Sequence, residues 1–138
     1  MPPSKDEIKA REDFSARYAQ GPASALDDVE RAVIGDVWGA NGFTTRDQAD
    51  DLAEKLALSP GKRLLDVGSG RGWPGLYLAQ RTGCEVVLSD LPAEGLKIGL
   101  DRAERDRIAC LGSVVCSARD LPFRPESFDA LVHTDVLC

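Results

Sequence analysis

The sequence predicts an α/β protein built on a mostly parallel sheet with helices ahead of it. Three observations point there. Four short β-rich runs follow residue 62 and are separated by helical patterns, these runs are apolar rather than alternating, and residues 1–58 show helical spacing without a strand signal. Parallel strands are joined by crossovers that cover both sheet faces, so each strand reads as a continuous apolar run. Leu64-Leu65, Val86-Val87-Leu88, Val114-Val115 and Ala130-Leu131-Val132 are such runs.

Taken in order, Met1 to Lys5 is a loose tail, and Ile8, Phe14 and Tyr18 mark a short amphipathic helix that ends near Gly21-Pro22. Ser24 with Asp27 is a capping box for a second helix, in which Leu26, Val29, Val33, Ile34 and Val37 recur at helical spacing. Gly39 to Gly42 interrupts the pattern. Thr44 with Asp47, or Thr45 with Gln48, then caps a third helix carrying Leu52, Ala53, Leu56 and Ala57, and Ser59-Pro60-Gly61 ends it. Strands are expected at Arg63 to Val67, Glu85 to Ser89, Ser113 to Cys116 and Phe128 to His133, with helices near Pro74 to Gln80 and Ala93 to Arg107. The expected division is a helical cap over residues 1–58 and a sheet-bearing core over 59–138.

Composition narrows the partners. Of 138 residues, 23 are acidic and 17 basic, a formal charge of -6 that repels polyanions, so nucleic acid is not expected as a partner. The densest charged run, Asp101 to Arg107, alternates in sign as a solvated helix face does. Cys84, Cys110, Cys116 and Cys138 form no CxxC pair, and His133 is the sole histidine, so no metal site is expected and the thiols are read as free in a reducing compartment. No run approaches the roughly 20 apolar residues of a membrane span and residues 1–11 lack a hydrophobic signal core, so the expected location is cytoplasmic.

The most informative stretch is Leu64-Leu65-Asp66-Val67-Gly68-Ser69-Gly70-Arg71-Gly72-Trp73-Pro74. A strand runs into three alternating glycines and then into a helix whose first turn accepts Pro74, because proline lacks an N–H where the helix leaves its N–H groups unpaired. Such a loop brings bare backbone against a ligand, and its N–H groups with the positive helix end favour an anionic group. The dinucleotide fingerprint wants glycine where Trp73 stands, and no Lys-Ser or Lys-Thr follows as in a phosphate-loop NTPase.

With its hydrophobic strand, acidic residue and Gly-x-Gly-x-Gly, this segment resembles the first motif of class I S-adenosylmethionine-dependent methyltransferases. The resemblance runs from about Lys62 onward and implies a Rossmann-like fold with S-adenosyl-L-methionine as cofactor. It implies that Gly68, Ser69, Gly70 and Gly72 line the methionine end, with Asp66 arranging that part directly or through water. It implies that Asp90, at the end of the second strand and about twenty positions past the loop, accepts the ribose hydroxyls, with Leu91 beside the adenine. In Asp120-Leu121-Pro122-Phe123, followed by Phe128-Asp129, it implies that Asp120 and the backbone of Leu121 meet the adenine.

Around these stations, His133 sits where active-site groups gather and is either a base or a rim residue satisfied by backbone. Arg71 either pairs with the cofactor carboxylate or is exposed. Trp38, Trp73, Phe14 and Tyr18 either wall a pocket or pack, and the resemblance gives the N-terminal helices a covering role. The family sheet has seven strands ordered 3-2-1-4-5-7-6, so four strands read as an apparently truncated core. The expected activity is in-line methyl transfer to a small-molecule acceptor, with no catalytic residue assigned. This chain alone is expected to bind cofactor without full catalytic competence, and self-association or a missing C-terminal half is expected to cover the fourth strand. The alternatives are a non-catalytic cofactor-binding or interaction domain and an NAD-linked oxidoreductase, the latter disfavoured by Trp73 and by Asp120-Leu121.

Overall fold

A computed structural model describes residues 2–20 and 24–134, with Ser24 described by its backbone alone. The expected helix stop at Gly21-Pro22, the Ser24 cap and Cys138 therefore lie outside what is described. Helix α1 (Lys5–Ala19) begins at a capping box in which the Ser4 hydroxyl accepts from Glu7 N while the Glu7 carboxylate accepts from Ser4 N. Helix α2 (Ser24–Ile34) and helix α3 (Arg46–Lys55) follow, and α3 starts at the Thr45–Gln48 capping box, the second of the two alternatives.

Helix α2 stops one turn sooner than its apolar spacing predicts. Gly35 takes a left-handed conformation, φ +87°, so Val37 lies in the following loop. Of the apolar positions on α2, Ile34 is buried, whereas Leu26, Val29 and Val33 face outward.

From Arg63 the chain alternates strand and helix: β1 (Arg63–Val67), α4 (Gly75–Thr82), β2 (Glu85–Asp90), α5 (Ala93–Arg105), β3 (Cys110–Val115) and β4 (Ala130–His133). All pairings are parallel, in the order β3-β2-β1-β4. This is the expected α/β architecture. Strand β3 starts at Cys110, three residues before the expected Ser113, because a register irregularity at Val86/Val87 lets Cys110 and Gly112 pair with β2. Strand β4 starts after Phe128, whose ring packs edge-on to Phe123 at 5.0 Å, and the Asp129 carboxylate caps β1 by accepting from Arg63 N at 2.8 Å.

Central strands supply the buried leucines Leu64, Leu65 and Leu88, and α4 and α5 add Leu76, Leu78 and Leu96. Each such side chain contributes about 1.5–3 kcal/mol by leaving water. Ile34 and Trp38 from the N-terminal part, with Ala49 and Ala53 of α3, join the same cluster. Helix α1 packs on α5 and α3 on α4. This sets α1 and the loop after α2 beside the carboxyl ends of β1, β2 and β3, where an open α/β sheet binds its ligands. Among the described residues no helix is long and apolar enough to cross a membrane.

Candidate ligand cavity at the strand ends

The turn from β1 to α4 is built around a buried carboxyl group. Asp66 has no exposed surface, and its Oδ2 accepts from Gly75 N at 2.8 Å, which fixes the first residue of α4. A Cβ on Gly75 would lie 2.4 Å from that oxygen, so glycine is required for the close approach. Among the described residues Oδ1 has no hydrogen-bond partner. Burial pushes the Asp66 carboxyl up to about 8, against the Gly75 N–H, and the negative charge of Asp90 adds to the rise.

Above it the glycine loop turns back over β2. Gly68 N and Ser69 N donate to Ser89 O at 2.8 and 3.0 Å, and Gly70 N donates to Asp90 Oδ2 at 2.7 Å. Gly70 has φ +54°, in the left-handed region, and a Cβ there would meet the Tyr18 hydroxyl at 2.8 Å. Helix α5 presses on the same loop through two small residues one turn apart. A Cβ on Gly95 would lie 2.8 Å from Gly70 O, and one on Gly99 would lie 3.2 Å from Arg71 O. This Gly-x-x-x-Gly face carries no motif residue, and its four-residue spacing on one helix face is the signal for it in the sequence.

Between these parts lies a cavity of about 470 Å³, within the rough 300–1,000 Å³ of small-molecule sites. The loop supplies Gly68, Ser69, Gly70 and Arg71 with Trp73, and the end of β2 supplies Asp90, Leu91 and Pro92. Ser117, Ala118 and Arg119 come from the turn after β3, and Thr134 from the end of β4. The remaining wall is α1, through Asp6, Glu7, Ala10, Phe14 and Tyr18, and the loop Gly39 to Gly42.

Helix α1 is tied across the opening. The Glu7 carboxylate accepts a short hydrogen bond from Ser117 Oγ and faces Arg119 Nη1 at 3.6 Å, while Ser15 Oγ donates to Glu94 on α5 at 2.8 Å. The Ser117 bond, followed by the Ser4 N–H, holds the Glu7 carboxyl below its usual range. Tyr18 is buried against Gly70 with its hydroxyl hydrogen-bonded to Asn41, and burial, followed by the charge of Asp90, raises its phenol.

Of the residues singled out from sequence, Gly68, Ser69, Gly70, Asp90 and Leu91 come together on this cavity. Asp66 and Gly72 lie behind the loop, outside the lining. Asp120 and Leu121 also lie outside it, although Asp120 N donates to Ser117 O in the turn that does line it. Phe14, Tyr18 and Trp73 wall the cavity, whereas Trp38 packs, with its ring 5.6 Å from that of Trp73 and the Arg102 guanidinium 3.6 Å from its centroid. Arg71 sits over the Tyr18 ring and donates to Gly39 O, Arg17 O and Tyr18 O. His133 is exposed and off the cavity. Among the described residues no cluster of His, Cys, Asp and Glu is arranged to hold a metal ion, and Cys84, Cys110 and Cys116 are free.

A family model described as a methyltransferase domain matches residues 65–138. The chain belongs to this family. A ubiquinone/menaquinone biosynthesis C-methyltransferase of Xanthomonas campestris pv. campestris is 41% identical over 75 residues, 52% of this chain and 30% of that protein. The erythromycin 3''-O-methyltransferase of Saccharopolyspora erythraea is 37% identical over 89 residues, 63% of this chain and 29% of that protein. The chain thus spans about 30% of the length of these curated relatives.

Among solved structures, geranyl diphosphate C-methyltransferase from Streptomyces coelicolor A3(2), solved with Mg2+, geranyl diphosphate and S-adenosyl-L-homocysteine, superposes with a TM-score of 0.64 at 23% identity, covering 96% of this chain and 54% of that one. A geranyl diphosphate methyltransferase solved with GPP and sinefungin gives 0.64 at 27% identity over 89% of this chain and 54% of its own. These likenesses carry the fold over 96% and 89% of this chain, so they extend beyond the sheet into the N-terminal helical part.

Proposed function

We propose that this chain is the cofactor-binding part of an S-adenosylmethionine-dependent methyltransferase that acts on a small molecule. The observation that carries the reading is the hydrogen bond from Gly70 N to Asp90 Oδ2, which brings the glycine loop and the acidic end of β2 onto one cavity in a member of the methyltransferase domain family.

The residues present fit that cofactor. Gly68, Ser69 and Gly70 offer bare backbone to the methionine end, and the space a Cβ on Gly70 would fill is already contested by Tyr18. Asp90 accepts one N–H on each oxygen, from Gly70 and from Leu91, and each oxygen keeps a second acceptor site for a ribose hydroxyl. Leu91, Ala118 and Phe14 give apolar surface for adenine, and the turn from Ser117 to Leu121 is the segment we assign to its edge. Asp66 acts from behind by fixing Gly75, and Gly72 by letting the loop enter α4.

Charge supports the same reading. The lining carries the carboxylates of Asp6, Glu7 and Asp90 against the guanidinium groups of Arg71 and Arg119, and both arginines are engaged, with Glu7 and with backbone carbonyls. The excess of negative charge favours a ligand bearing positive charge, as a sulfonium does. When bound, the cofactor supplies an electrophilic methyl group for a nucleophilic acceptor to attack in line. The chain's own part is to orient that group and, through α1, to exclude water from it.

Calorimetric titration with S-adenosylhomocysteine and, separately, with NADH tests the proposal. Saturable one-site binding of the first and none of the second is expected. Binding of NADH alone, or of neither, would reject it.

A further inference from the structure

The loop Gly39 to Gly42 forms one wall of the cavity yet belongs to no helix or strand, so its backbone groups have no ladder to satisfy them. Side chains from three elements serve instead. Arg102 of α5 donates to Val37 O and to the Asp36 carboxylate, and its guanidinium covers the Trp38 ring. Arg71 of the glycine loop donates to Gly39 O at 3.4 Å. Between them, a single oxygen of Glu30, on α2, accepts from Trp38 N at 2.8 Å and from Ala40 N at 2.9 Å.

Glu30 is not among the residues lining the cavity. Its carboxylate grips the backbone on both sides of Gly39, and the residue after Ala40 is Asn41, whose amide meets Tyr18 beside Gly70. We infer that Glu30 is a positioning residue for the ligand cavity: it holds the Gly39 to Gly42 wall in place by accepting two backbone N–H groups, and ligand affinity depends on it without contact. The ligand part of this inference rests on the proposed cofactor reading, whereas the hold on the loop does not.

Two hydrogen bonds to an ionised acceptor are lost together in Glu30→Ala, and two N–H groups are left without a partner. Glu30→Gln keeps an amide oxygen at the same reach and restores both bonds in neutral form. Glu30→Asp keeps the charge but is one methylene short, and it serves where the alanine variant does not fold.

The test measures amide exchange at Trp38 and Ala40 in the ligand-free chain, and titrates the same proteins with S-adenosylhomocysteine. In Glu30→Ala, exchange at both amides is expected to be at least about tenfold faster and affinity about tenfold weaker, with Glu30→Asp between and Glu30→Gln within about threefold of wild type. Unchanged exchange and affinity in Glu30→Ala, or a glutamine variant as impaired as the alanine one, would overturn the inference. A wild type that ignores S-adenosylhomocysteine would instead overturn the cofactor reading, and the exchange rates would still decide whether Glu30 holds the loop.

Discussion

Asp90 Oδ2 accepts the amide proton of Gly70 at 2.7 Å, so the carboxylate that ends β2 also fixes the middle glycine of the β1–α4 loop. Its other oxygen accepts from Leu91 N at 2.7 Å. Two stations that the sequence separates by twenty positions are thus one unit. Burial raises the Asp90 carboxyl, and the two N–H bonds oppose that rise by stabilising the anion.

Asp90→Ala should therefore weaken S-adenosylhomocysteine binding by about 1–3 kcal/mol, since the ribose acceptor and the clamp on Gly70 go together. Titration calorimetry on the folded variant measures this. Equal affinity for wild type and variant would remove Asp90 from the site.

At Gly70 the left-handed backbone and the Tyr18 hydroxyl act in the same direction. Gly70→Ala should cost about 1–2 kcal/mol of stability for the conformation alone. Gly70→Val should cost more, because a branched Cβ tolerates that region poorly. Both variants should lose most of their affinity at temperatures where circular dichroism still reports the folded state. A folded Gly70→Val protein with full affinity would reduce the loop to scaffolding.

The fold was legible where local pattern and tertiary demand agree. Strand β1 is an apolar run buried on both faces, β2 is an apolar run buried through Val86 and Leu88 with Val87 half-buried, and the Thr45–Gln48 box starts α3 within the sequence it occupies. Legibility failed where a distant partner decides. Gly112 and the irregular register against β2 hide the start of β3, and the apolar spacing of α2 does not say that Leu26, Val29 and Val33 turn outward. The glycine loop and Asp90 could be read from spacing. The wall made by Glu7, Tyr18 and Asn41 could not, because the contact of Glu7 with Ser117 joins residues more than a hundred positions apart and no local rule encodes it.

Helix α5 offers a test in which propensity and packing oppose each other. Alanine is favoured over glycine inside a helix by up to about 1 kcal/mol. A Cβ on Gly95 would nevertheless lie 2.8 Å from Gly70 O and 2.9 Å from the Tyr18 ring, and the former is backbone that cannot step aside. Gly95→Ala is expected to lower the melting temperature and to weaken ligand binding. A variant more stable than wild type with unchanged affinity would show that α5 does not press on the loop.

Ser117→Ala removes the hydroxyl that Glu7 accepts from and leaves that carboxylate facing only Arg119 across the cavity. The ties of α1 to α5, including Ser15 to Glu94, remain. Ligand dissociation should accelerate with only a small drop in the melting temperature, because a single part-buried hydrogen bond contributes only a small share of global stability. Stopped-flow displacement of a fluorescent cofactor analogue reads the rate. An unchanged rate would mean that α1 is held over the cavity by its contacts with α5 alone.

Asp66 gives the chain a pH dependence whose sign follows from burial. Its ordinary value is 3.8 and burial moves it to about 8 in the folded chain, so between these values the folded state keeps a proton that the unfolded state has released. The folded state then binds more protons, and stability falls as pH rises through that window. The contribution is complete below the unfolded value and is lost above the folded one. Asp66→Asn cannot titrate, yet its side-chain oxygen can still accept from Gly75 N, so it resembles the protonated wild type and lacks the slope. Urea unfolding of both proteins from about pH 4 to about pH 8 should show the wild type losing stability relative to Asp66→Asn as pH rises, since other groups titrate alike in the two chains. A difference that stays constant across the range would place Asp66 at an ordinary carboxylate value. It would also mean that the buried Oδ1, without a partner in this structure, is met by a donor that stabilises its charge.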